Sequence, residues 1–213
     1  MRDLIKAEYY KLKRLPSVHM IFLFAFLAGV VQGFSPCRGY QVYTISLAPQ
    51  LFDVVLISVF TAAFLCVERS WRTIGNALLS GMSRRTVFFA KLSAYVPAFL
   101  VLILLPLAVS VCVATIRNGF GADGDALFFE WMAALFFYIV YRFFMAGLSI
   151  FAATVIQNPL GTLGISVAGN YLISRVKNPM GNVVTYETLI FGVIGTVISL
   201  CLAAFVFERI EIR

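Results

Sequence analysis

The stretch Glu68–Lys91, ERSWRTIGNALLSGMSRRTVFFAK, decides how the chain is read. It lies between two long apolar runs and is the one sizeable polar interruption that combines a helical pattern with dense positive charge. Trp71, Ile74, Leu78 and Met82 recur at intervals of three and four. A helix therefore puts them on one face, away from Arg69, Arg72, Asn76 and Ser80. The Ser70 hydroxyl can accept from the free amides of a first turn. Gly81 stands where a helix stops in the left-handed conformation. Ser83 can cap the next helix, which runs through Lys91 into apolar sequence. The pattern predicts a short amphipathic helix, a tight break and a new helix entering a membrane. Two readings of it stay open. In one, this is a basic loop whose arginines set orientation while its apolar stripe rests on lipid. In the other it is a contact element, an in-plane helix offered to a soluble partner.

The surrounding composition excludes a soluble domain. Of 213 residues, 61% are hydrophobic and 13% charged, against about 45–50% and 25% in soluble chains. That much apolar surface needs a bilayer. A net charge of +7 would suggest nucleic acid in a soluble protein; here its distribution points to membrane orientation instead, with no nucleic-acid partner.

Outward from Glu68–Lys91, the apolar runs predict an all-α integral membrane protein of one domain, 1–213, with six transmembrane helices at about 18–34, 50–67, 92–115, 132–156, 160–174 and 188–207. The second run is longer if 44–49 is already helical. The first run precedes no small-residue cleavage site and reads as an uncleaved anchor. Before it, residues 1–15 place Ile5, Tyr9 and Leu12 on one face with Leu4 beside them, and Arg2, Lys6 and Lys13 around the other side. This suits a helix in the headgroup layer, the alternative being a disordered basic tail. Pro16 is expected to end it and Ser17 to cap the first membrane helix. Residues 35–43 and 117–130 read as loops, the latter from GFGADGD.

Orientation follows from lysine and arginine. With both termini on one side, that side holds Arg2, Lys6, Lys11, Lys13, Arg14, Arg69, Arg72, Arg84, Arg85, Lys91, Arg209 and Arg213. The other side holds Arg38, Arg117, Arg175 and Lys177. The imbalance predicts a multi-pass protein with both termini and the 68–91 loop in the cytoplasm.

Several chemistries lack their residues. There is no GxxxxGK[ST] loop, so the chain does not carry the usual ATP site. His19 is the one histidine, too few for a metalloenzyme of the H-E-x-x-H type. Cys37, Cys66, Cys112 and Cys201 lack metal-like spacing; a Cys37–Cys112 bridge and four ordinary apolar cysteines are the two readings, the second preferred. No catalytic set is evident, and the chain is expected not to be an enzyme.

The chain resembles the permease subunit of bacterial ATP-binding-cassette exporters of the type 2 class, in the compact branch of bacitracin-resistance, lantibiotic-immunity and peptide-export permeases. The likeness rests on KAEYYKLKR before the first span, similar to that family's amphipathic elbow helix; on ERSWRTIGNALLSGMSRRTVFFAKL, similar to its first cytoplasmic loop; and on the six-span layout. The connection at residues 175–187 is shorter than the extracellular hairpin of many relatives. The resemblance implies residence in the bacterial cytoplasmic membrane and a permease that pairs with a second, identical or related chain. It implies a separate cytoplasmic ATPase, which holds the ATP and Mg while this chain binds no cofactor. It makes the 68–91 loop the coupling helix between spans two and three. The ATPase-contact residues carried over are Glu68, Arg69, Trp71, Arg72, Thr73, Ile74, Leu78, Leu79, Ser80, Gly81, Ser83, Arg84 and Arg85. A peptide or an amphipathic, lipid-like molecule would be the exported substrate. Two rivals are a substrate-binding membrane module of an energy-coupling importer, which calls for a polar pocket open to the outside, and a membrane-embedded enzyme.

Arg142 lies inside the fourth span, about ten residues or roughly 15 Å from its outer end. A charge there is costly and should face protein or water. Asp53 is the acidic candidate partner in a neighbouring span. A span starting at Leu51 leaves Asp53 too shallow to meet it; one starting near Thr44 brings the two to comparable depth. Arg142 and Asp53 are therefore expected in the bundle interior, either as a structural tie or along a transport pathway.

Overall fold

A computed structural model describes residues 2–47, 51–66, 83–121, 127–156, 158–177 and 186–209. Every regular element among them is a helix: α1 (Arg2–Arg14), α2 (Pro16–Gly33), α3 (Gly39–Leu47), α4 (Leu51–Thr61) continuing into a π-helical turn (Ala62–Cys66), α5 (Arg84–Asn118), α6 (Leu127–Ile156), α7 (Pro159–Lys177) and α8 (Tyr186–Arg209). By length and composition α2, α5 and the Trp131–Ile156 part of α6 can each cross a membrane; α3 and α4, whose axes differ by 60°, add a fourth crossing if taken as one broken span. The six separate crossings expected from the apolar runs thus reduce, among the described residues, to three that meet the test alone. The second run is broken. In α7 the side chains Thr162, Ser166 and Asn170 dilute the apolar surface.

Local chemistry accounts for most helix ends. α1 ends before Pro16, as expected: the proline holds Leu15 extended (φ −72°, ψ 111°) and is itself the first residue of α2, which has no side-chain cap. Proline lacks the N–H that a first helical residue leaves unpaired, so this position suits it, and Ser17 falls inside the turn rather than at the cap. Ser83 does cap α5: its Oγ accepts from Thr86 N at 3.3 Å and lies 2.7 Å from Thr86 Oγ1. At the far end Gly119 and Gly121 take φ of +76° and +69°, a region glycine enters without steric penalty. Residues 39–43, expected in a loop, begin α3. They are held there by Gly39 N to Gly119 O (3.1 Å) and Tyr40 N to Phe120 O (3.0 Å), and α3 then packs along α5.

α2 and α5 meet unusually closely. A Cβ on Gly29 would sit 2.7 Å from Pro106 O, and one on Gly33 would sit 2.6 Å from Val113 Cβ. With Ala25 fully buried one turn earlier, these residues form a small-xxx-small-xxx-small strip. In lipid, such strips let backbones approach where the hydrophobic effect gives no drive. Pro106 itself removes an N–H from α5, and nearby the Tyr138 hydroxyl of α6 donates to Ile103 O at 3.2 Å. The carbonyl that Pro106 frees is that of Leu102, one residue earlier, so the Tyr138 bond lies beside the missing one and does not replace it.

The core is an aromatic column on the α4–π segment. Phe60 meets Phe22, Phe64 and Tyr95 with ring centroids 6.3, 6.1 and 5.3 Å apart. Tyr95 stacks on Phe99 at 5.6 Å, and Phe99 meets Phe143 edge-on at 5.3 Å. Such pairs add about 0.5–1.5 kcal/mol each beyond area burial. The Tyr95 hydroxyl lies 2.8 Å from Thr61 Oγ1, whose proton can go to Ile57 O. α8 packs chiefly on α6, and α7 fills the space between α6 and α4.

Candidate functional site

Two places carry the chemistry that the sequence singles out. The first is the segment between the π turn and α5. Glu68, Arg69, Trp71, Arg72, Thr73, Ile74, Leu78, Leu79, Ser80 and Gly81 lie outside the described residues, whereas its two roots are described. On one side Phe64 is 1% exposed and touches Tyr95 with ring centroids 5.8 Å apart. On the other, Ser83 starts α5, Arg84 is half-buried and Arg85 exposed, and Phe88 packs against Phe207 of α8 at 5.3 Å. The π-turn root is therefore set in the core, whereas the α5 root is exposed at Ser83 and Arg85 and enters the core at Val87 and Phe88. α5 has 35 residues, about 52 Å at 1.5 Å per residue, against a hydrocarbon core of about 30 Å. It is long enough to project well beyond the bilayer.

α1 is clasped to the first turns of α5. Glu8 and Lys91 are 3% and 4% exposed, with Lys91 Nζ 3.6 Å from Glu8 Oε2 and Lys11 Nζ 3.1 Å from Glu8 Oε1. The Tyr9 hydroxyl donates to Ser93 O at 3.2 Å. Tyr9, expected on the apolar face, is instead 40% exposed. The face turned to the bundle is Leu4, Glu8, Leu12 and Leu15, at intervals of four and three. Sequence reading missed this pair. Its signal was an acid on the apolar face of an otherwise basic helix.

The second place is Arg142. It is fully buried, its Nη2 pairs with Asp53 Oδ2, and its Cζ lies 4.8 Å above the ring of Tyr138. α4 does start at Leu51, the register that was expected to leave Asp53 too shallow. A separate helix, Gly39–Leu47, precedes α4 with its axis 60° from that of α4, and Asp53 meets Arg142 in this arrangement. Beside the pair runs a polar seam. Thr162, Ser166 and Asn170, one turn apart on α7, are 0%, 3% and 1% exposed. Asn170 Nδ2 donates to Ser149 Oγ at 3.0 Å on α6. The spacing of four was legible in the sequence; its partner on α6 was not.

Among the described residues no group of His, Cys, Asp and Glu could hold a metal ion, and Cys37, Cys112 and Cys201 are free thiols, so Cys37 and Cys112 do not bridge.

Residues 4–173 match the family model described as "ABC-2 family transporter protein". No curated protein and no solved structure matches the chain.

Proposed function

This chain belongs to the ABC-2 family of transporter proteins, a membrane transport component that works with a cytoplasmic ATP-binding subunit, and from that premise we propose that it is the permease of an exporter whose ATPase docks on residues 68–91. The observation that carries this reading is the setting of that segment. It lies between Phe64, buried in the core, and the Ser83-capped, solvent-exposed end of a helix long enough to project beyond the membrane, which becomes buried from Val87 on. On the α5 side a force would pass from the Ser83 cap along the helix to Phe88 and its contact with Phe207. Apolar residues at helical spacing (Trp71, Ile74, Leu78) would fill the ATPase groove, and Arg69, Arg72, Arg84 and Arg85 would meet an acidic rim.

In this reading the helices make six crossings, with α3 and α4 together as the second. α1 lies at the cytoplasmic interface as the elbow, and two permease chains pair in a bacterial cytoplasmic membrane. Substrate would be a peptide or an amphipathic, lipid-like molecule, for which bacitracin- and lantibiotic-type permeases are the analogy. ATP and Mg belong to the partner subunit.

The test is assembly with the co-expressed ATPase. Trp71→Ala and Ile74→Asp are expected to leave the chain in the membrane but weaken co-purification of the ATPase, by about 2 kcal/mol or more for a desolvated aromatic anchor. Wild-type recovery and transport in both variants would reduce the segment to a lipid-resting loop. Orientation has its own test. In a variant without the native cysteines, single cysteines at Ala122 and Asn182 should react with an impermeant reagent from outside intact cells, and one at Asn76 should not. Labelling of Asn76 from outside would invert the topology.

A further inference from the structure

The end of the bundle opposite Arg84 is built around a second, different surface. The chain leaving α2 is stitched to the end of α5. Arg117 Nη1 donates to Phe34 O at 3.2 Å, and Asn118 Nδ2 donates to Ser35 O at 3.1 Å and to Cys37 O at 2.9 Å. The Arg117 guanidinium sits 4.8 Å above the Phe34 ring. Beside this junction a cavity of about 430 Å3 opens between α2 and α3, walled by apolar Val31, Phe34, Val42 and Ile45 and by polar Gln32, Ser35 and Ser46. Its size falls within the roughly 300–1,000 Å3 typical of ligand pockets. Val31, Phe34 and Ile45 are 71%, 58% and 53% exposed, so the groove is open sideways, toward the space a bilayer fills. The same short loop carries Arg38, whose aliphatic stem covers Gly121. Arg38 and Arg117 are both exposed, and among the described residues neither forms an ion pair.

We propose that this groove is a site for an anionic phospholipid, with an acyl chain lying between α2 and α3 and the phosphate held by Arg117, assisted by Arg38. Arginine presents several N–H donors in a planar fork suited to phosphate oxygens. Arg117 uses one donor on the carbonyl of Phe34, a residue of the groove wall, and its side chain is otherwise exposed. A soluble phosphate would satisfy the arginines but leave Val31, Phe34 and Ile45 wet. A zwitterionic lipid would fill the groove but return less charge to the arginines. Only a molecule with both parts matches the surface. On the topology proposed above the site faces the outer leaflet, but the binding does not depend on the ATPase or on the direction of transport.

The purified full-length chain in detergent can be titrated with phosphatidylglycerol and, separately, with phosphatidylcholine, reading lipid retained by native mass spectrometry and the thermal midpoint in parallel. Saturable retention of phosphatidylglycerol over phosphatidylcholine is expected. Arg117→Gln should raise the half-saturating concentration about tenfold, the size of one lost charge-assisted contact. Ile45→Trp, which fills the groove and keeps both arginines, should weaken retention as well. Arg117→Lys should retain part of the binding, and Arg209→Gln at the other end should retain all of it, which separates loss of the site from loss of the fold. Inorganic phosphate at the same concentrations should not displace the lipid. Equal retention of the two lipids, an unchanged titration in Arg117→Gln, or displacement by inorganic phosphate would each overturn the proposal.

Discussion

Arg142→Leu is expected to cost the protein about 3–5 kcal/mol of stability, the size seen when one partner of a buried ion pair is removed. The fold holds Arg142 with no exposed surface against Asp53, whose side chain is 14% exposed. Removing the guanidinium leaves a carboxylate facing the interior of a membrane bundle. Removing the carboxylate instead, in Asp53→Leu, strands the guanidinium beside Tyr138. The double replacement Arg142→Leu with Asp53→Leu should recover much of the loss, because two apolar side chains of similar length strand neither charge. Thermal unfolding of the three variants in one detergent, read as a double-mutant cycle, measures the coupling. A transport assay then separates a tie from a pathway residue. Restored stability with lost export would mark the pair as part of the translocation route, and restored stability with restored export would mark it as structural. If Arg142→Leu alone matched wild type in both measurements, neither role would stand.

The second large effect is expected at the junction of α1 and α5. Glu8→Leu removes the carboxylate that Lys91 approaches at 3.6 Å in a setting where both side chains are about 4–5% exposed. Without that carboxylate the enclosed Lys91, whose pKa burial already brings down to about 8, must shed its proton or draw in water by lifting α1. Cysteines at Tyr9 and Ser93, which the tyrosine side chain links in the fold, should be joined readily by a bifunctional thiol reagent in the parent and slowly in Glu8→Leu. Adding Lys91→Met should restore the cross-link. Because Lys91 lies two turns after Ser83, a lifted α1 should also weaken recovery of the ATPase in the assembly assay. An unchanged cross-linking rate in Glu8→Leu would mean that apolar contacts of Leu12 and Leu15 hold α1 without the ion pair.

These two pairs mark the boundary of sequence reading. Arg142 was conspicuous by itself, since a charge ten residues inside an apolar run has few places to go. Asp53 could be named as a candidate, but whether it reached Arg142 depended on where its span began; the structure sets a separate helix, Gly39–Leu47, before α4 and pairs the two residues. Glu8 drew no notice because its partner is 83 residues away and the surrounding helix is basic.

What the sequence determined by itself was therefore local. Composition required a bilayer. Runs of apolar residues located the helices. Ser83 before Arg-Arg-Thr started α5, and the glycines after Asn118 ended it, because capping and φ preferences act within a few residues. What only the tertiary structure decided was which faces meet. Ala25, Gly29 and Gly33 read as unremarkable small residues until Pro106 and Val113 are found against the two glycines. The polar side chains of α7 acquire meaning only beside Ser149. In a membrane, lipid tails and leucine side chains are equally apolar, so hydrophobicity marks a helix without choosing its neighbour. That choice falls to close backbone approach, to buried hydrogen bonds and to two ion pairs, all of which join residues far apart in the chain.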